Sequence, residues 1–162
     1  MLLVTAVDHL SPLPTGDELL VLMLESSNPA QSPDPVRAAA AALVQLHRGW
    51  ERTGPATAAE RHTHHQQLRT IDIAVVRAIP DPVFGTPVHT ENVSTAVDRL
   101  ACLVCGLDRR LAYSDVVAAW CQVDELARGL NARIGELLSG QRRVPHGPWW
   151  ASFGSCDTGM PA

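Results

Sequence analysis

Lysine is absent from all 162 residues, and every one of the thirteen basic side chains is arginine. That absence removes Schiff-base catalysis, a lysine-anchored pyridoxal cofactor and the phosphate-binding lysine of a P-loop. The 11 glycines are scattered and never approach a dinucleotide or kinase fingerprint; no Gly-x-Ser-x-Gly elbow occurs either. No cofactor is expected. The chain also lacks any run near the roughly 18 apolar residues of a membrane span, and a net charge of −4 with a pI near 5.9 offers no positive field for nucleic acid or anionic lipid. Met1 to Leu10 has no basic residue ahead of its apolar part and carries Asp8, which makes it a poor signal peptide. Cys102, Cys105, Cys121 and Cys156 could form two disulfides in an oxidising compartment, but three of them fall inside expected helices, so a reduced, cytoplasmic setting is expected.

What the sequence does contain is helical periodicity. Residues 1–33 form a proline- and serine-rich arm around one apolar patch, Asp17 to Glu25, which reads as a short helix followed by a linker; a disordered arm is the alternative. Residues 34–143 read as four long helices. The first has Asp34 as N-cap and Pro35 at the opening helical position, with Val36, Ala39, Ala40, Leu43, Leu46, His47 and Trp50 on one face. Gly54-Pro55 stops it, and Thr57-Ala58-Ala59-Glu60 is a capping box for the second, which runs to Ile79 before Pro80 and Pro82. The inward stripe of that second helix reads Arg61, His64, His65, Leu68, Ile71, Asp72, Val75 and Ile79. The third is expected to begin at Thr90, with Asp98, Cys102 and Cys105 facing away from its core side. The fourth runs from Ser114 with Val117, Trp120, Asp124, Ala127, Asn131, Ile134 and Leu138 aligned, and Gly140 follows it as a C′ residue. Short connections between such helices predict an all-α, antiparallel up-and-down four-helix bundle with an extra N-terminal helix and an irregular tail over 144–162.

His89-Thr90-Glu91, then Val97-Asp98-Arg99-Leu100, and the later run Leu137-Leu138-Ser139-Gly140-Gln141-Arg142-Arg143-Val144-Pro145 resemble a family of small helical proteins of unknown function from high-GC bacteria. Leu46-His47-Arg48-x-Trp50 is a looser point of agreement, and the resemblance spans roughly 35–145. It implies a helical fold and, since that family has no settled activity, no mechanism.

In an antiparallel hairpin, residues equally far from the turn share a height. The turn near Gly54 therefore sets His47 and Trp50 level with Arg61, His64 and His65, predicting a polar pocket at that end. Neutral imidazoles around an aromatic ring can act as general base and acid, while Trp50 and Arg61 would bind substrate. The plainer account is that each histidine satisfies a buried carbonyl or sits at a solvated mouth. At the other end, His89 and Glu91 would meet Asn131 and Asp72, with Glu91 or Asp72 as base and Asp124 and Asn131 as binding groups. A cap-and-salt-bridge cluster including Arg99, Asp98 and Asp124 is the alternative.

Metal chemistry is weighed and set aside at this level. Cys102-x-x-Cys105 is half of a zinc set with no second half in the sequence. A metal on His47, His64 and a carboxylate lacks the duplicated Glu-x-x-His pattern of di-iron bundles. The expectation is a small-molecule enzyme of specialised metabolism doing acid–base chemistry such as cyclisation, isomerisation or elimination. The alternative is a homodimeric binding or assembly module using the outer face of the third long helix, Ile73 and Val76, or the Trp149-Trp150 tail.

Overall fold

The structure, a computed structural model, describes residues 11–25, 32–107 and 113–145. They form the expected all-α bundle, as five helices: α1 (Gly16–Leu24), α2 (Pro35–Thr53), α3 (Ala58–Ala78), α4 (Val93–Leu107) and α5 (Tyr113–Leu138). The Trp149-Trp150 tail, the linker after residue 25 and Cys156 lie outside the described residues.

Local chemistry sets the helix ends where the sequence placed them. Asp34 accepts from the backbone N–H of Val36 at 2.8 Å and of Arg37 at 3.3 Å, with Pro35 next to it. Thr57 and Glu60 close a reciprocal capping box on α3, and Thr15 with Glu18 does the same on α1. Gly54 and Gly140 both take positive φ, 93° and 71°, past the ends of α2 and α5.

The short N-terminal helix is part of the core rather than an accessory to it. Leu19 and Met23 are fully buried, and α1 packs on α5, α2 and α4. The N–H of Gly16 donates to Asn131 Oδ1 at 2.6 Å, Asn131 Nδ2 donates to Asp17 Oδ2 at 2.7 Å, and Arg37 pairs with Glu18 at 3.0 Å. Both ends of the Asn131 amide are thereby used to dock α1.

Helix α4 packs against all four of the others. Val93, Ala96, Val97, Leu100, Ala101, Val104 and Cys105 are buried around its circumference, leaving only Thr95, Arg99 and Cys102 exposed. Cys105 therefore faces the core, contrary to the phase read from sequence, and its thiol donates to the Val44 carbonyl at 3.4 Å. The apolar outer face expected for this helix reduces to that narrow stripe.

Two further phases differ from expectation. On α5 the buried stripe is Ala119, Val123, Ala127, Leu130, Ile134 and Leu137, while Val117 and Trp120 are 45% and 41% exposed. Helix α1 approaches α5 closely at Ala127: a Cβ on Gly16 would overlap the carbonyl of Ala127. The expected start of a helix at Thr90 also moves, to Val93. Residues 87–89 instead run extended beside Arg143, with His89 N–H donating to Arg143 O at 2.9 Å and Arg143 N–H to Pro87 O at 3.0 Å. Those long-range bonds satisfy the backbone groups of this extended segment and tie it to the stretch after α5.

Candidate functional site

Three helices converge on one carboxylate oxygen. His47 from α2 and His64 from α3 each place Nε2 at 2.8 Å from Asp98 Oδ1 on α4. The side chains are 13%, 15% and 23% exposed respectively, so the group is sheltered yet reachable. Trp50, one turn beyond His47, walls the site: its ring lies edge-on to His47 at 5.1 Å between centroids and tilted against His64 at 5.3 Å. The indole N–H is buried with no hydrogen-bond partner.

Electrostatics fix the protonation pattern of this group. Burial pushes the Asp98 carboxyl up, but hydrogen bonds from His47 and His64, reinforced by their charge, outweigh it and hold the group at about 2. An ionised carboxylate only accepts, so both imidazoles must carry hydrogen on Nε2. In the neutral rings the lone pair then resides on Nδ1.

Because the Asp98 carboxyl is depressed from 3.8 to about 2, it contributes stability that is fully present above the unfolded value and disappears as pH falls through the folded one. The loss attributable to this group amounts to about 2 kcal/mol. Urea unfolding at successive pH values should show it between about pH 4 and 2, and Asp98→Asn should flatten that limb of the curve.

The neighbouring side chains divide. The His65 ring touches the edge of the group, with its centroid 5.9 Å from that of His64, but the residue is exposed. Arg61 is also exposed and donates back to the Ala56 carbonyl, so it does not enter the site as expected. Most of the first turns of α3 are exposed, while half-buried His64 meets Trp50 of α2 and Asp98 of α4.

The second expected group does not assemble. Glu91 accepts from Arg99 and Arg133 at 3.1 and 3.0 Å; burial pushes its carboxyl up, and these two guanidinium groups more than reverse that and hold it below the usual carboxylate range. His89 Nε2 lies 3.2 Å from Glu136 but off the hydrogen-bonding direction, and burial, aided by Arg133 and Arg142 and opposed by Glu136, lowers its basicity. Asp72 is buried on α3 at 6% exposure, Asn131 docks α1, and Asp124 is half-exposed in an ion pair with Arg128. Glu91, Arg99 and Arg133 are thus the paired charges of a structural cluster. A groove of about 700 Å³ between α4 and α5 borders Glu91, Arg99 and Arg133. It is an open feature that neither His47 nor His64 lines, and its Glu91, Arg99 and Arg133 side chains are engaged with one another in those ion pairs.

The sequence reading missed Asp98 as a partner of the histidines. A strict equal-height register would have set Asp98 about 14 Å along the axis from His64; the long connection over 79–92 releases α4 from that register. One signal was available: α4 is apolar on nearly all sides, which marks a helix buried on all sides, and an acid in such a helix needs a partner.

Among the described residues, His47, His64 and Asp98 are the one set of three or more potential ligand side chains close enough to share an ion. Cys105 is buried while Cys102 and Cys121 are exposed, and none of these three forms a disulfide. No helix among the described residues is long and apolar enough to cross a membrane. No family model, curated protein or solved structure matches the chain.

Proposed function

We propose that this bundle binds a small polar molecule at the mouth between α2, α3 and α4 and moves a proton on it, with His47 and His64 as the working groups. The observation that carries this reading is the sharing of Asp98 Oδ1 by two imidazole Nε2–H groups from different helices. Asp98 orients both rings and fixes the tautomer, which leaves an Nδ1 lone pair on each ring as a base. It also stabilises the imidazolium that forms once a proton is taken. Trp50 supplies an apolar wall packed against both imidazole rings. No organic cofactor is required for such a step, and cyclisation, isomerisation and elimination in specialised metabolism are reactions it suits.

A thermal-shift screen of polar metabolites against metal-chelated protein tests this directly, because a ligand that binds only the folded state raises its apparent stability. Ligands that stabilise the wild type are expected to lose their effect on His64→Ala and His47→Ala and to keep it on Arg61→Ala. Ligands whose effect survives in both histidine variants, or a screen with none, would remove the site from this role.

A further inference from the structure

We infer that His47, His64 and Asp98 form a mononuclear site for a divalent transition metal ion, zinc fitting it best. The inference rests on these three side chains being the working site, and it names what that site holds. Three features carry it. The donors are two imidazole nitrogens and one carboxylate oxygen, a set suited to zinc and neighbouring first-row ions. One donor comes from each of three helices, and all three donor atoms lie within 4.8 Å of one another. The cluster is sheltered at 13–23% side-chain exposure, which limits the number of waters that could complete a larger shell and so favours four-coordination.

The geometry needs a small adjustment. With metal–ligand bonds of about 2.0–2.1 Å, tetrahedral donors sit about 3.3 Å apart. The Nε2 to Oδ1 separations are 2.8 Å and must open by about half an ångström, while the two Nε2 atoms lie within 4.8 Å of each other, so side-chain rotation has to set all three distances. The proton balance is simple. An ion taking the Nε2 lone pair requires each neutral ring to shift its hydrogen from Nε2 to Nδ1, with no net proton released.

Three protein donors leave the fourth tetrahedral position for water, the arrangement of a catalytic rather than a closed structural zinc site. Zinc lowers the pKa of such a water to near neutrality, providing a hydroxide where the metal-free site offers an imidazole.

Calorimetric titration of zinc chloride into chelator-treated full-length protein is the test. One equivalent should bind and raise the Tm by several degrees. Asp98→Asn and His64→Gln, chosen to keep size and polarity, should weaken binding by more than the 10–100-fold typical of losing a supporting partner, while His65→Ala leaves it intact. Cobalt substitution should give a tetrahedral spectrum without a thiolate charge-transfer band, which separates this site from the cysteines. Absence of zinc binding to the wild type, binding that survives both variants, or a thiolate band would each overturn the inference.

The two proposals fail separately. If zinc does not bind but the histidine variants still abolish ligand stabilisation in chelated protein, the metal site falls and the acid–base site remains. If zinc binds as described while ligand stabilisation survives the histidine variants, the metal site stands and the proton-transfer reading falls.

Discussion

Replacing Asp98 by alanine is expected to lower the unfolding free energy by about 2–4 kcal/mol and to abolish binding at the histidine site. The substitution removes the acceptor of two hydrogen bonds at 2.8 Å, one from α2 and one from α3. Hydrogen bonds to a charged group contribute about 1.5–3 kcal/mol each, and partial exposure of the rings lets water recover some of that. Asp98→Asn keeps an oxygen acceptor and the volume of the side chain but gives up the charge, so about half of the loss should remain. The two variants therefore separate charge from shape. Urea unfolding at neutral pH measures both. An alanine variant within about 0.5 kcal/mol of wild type, the range of ordinary surface changes, would mean that the three-helix convergence contributes nothing to folding.

Gly16→Ala is the second large effect, and its sign is the informative part. Glycine to alanine in a helix ordinarily stabilises by about 0.5–1 kcal/mol, through unfolded-state entropy. Here the added Cβ would overlap the carbonyl oxygen of Ala127, a backbone atom of α5 that cannot swing aside. Relief requires α1 to lift from α5, which strains the Gly16 to Asn131 hydrogen bond and unseats Leu19 and Met23. The expected cost is about 3 kcal/mol, the upper part of the overpacking range, with earlier proteolysis of the N-terminal segment. Gly129→Ala is the counterpart: nothing lies within 4 Å of its added Cβ on exposed α5, so it should stabilise by about 0.5–1 kcal/mol. A Gly16→Ala protein as stable as wild type would show that α1 is loosely held.

The polar residues expected to face inward fall into two groups in this architecture. His47 and Trp50 meet Asp98 at the imidazole site, whereas His89, Glu91 and Arg99 gather with Arg133, Glu136 and Arg142 on another side of the same N-terminal half of α4. The first group converges on a single acceptor oxygen and is partly open. The second is a mesh of opposite charges that brace the 87–91 segment against α5. Polar residues gathered inward are thus of two physical kinds, and only mutual geometry tells them apart.

Much of the fold was legible in the chain. Asp34-Pro35, the Thr57 to Glu60 box, Gly54 and Gly140 fixed helix ends through interactions within a few residues, and the 3.6-residue repeat of Val36, Ala39, Ala40 and Leu43 or of Leu68, Ile71, Asp72 and Val75 fixed the buried faces of α2 and α3. The level placement of His47, Trp50 and His64 followed from the short hairpin turn between those helices. Local hydrogen bonding and helical pitch act over a few residues and repeat regularly, so a sequence carries them without reference to anything distant.

Where α4 sits was decided only in three dimensions. A central helix buries nearly its whole circumference, so its apolar pattern has no single phase to read; Cys105 turned inward and Asp98 turned to the imidazoles by packing against several helices at once. The same holds for α1, whose place depends on the missing side chain at Gly16 and on an amide 115 positions away. Periodicity specifies which face of one helix avoids water; which groups meet across helices depends on connection length and close approach, and these are properties of the assembled chain.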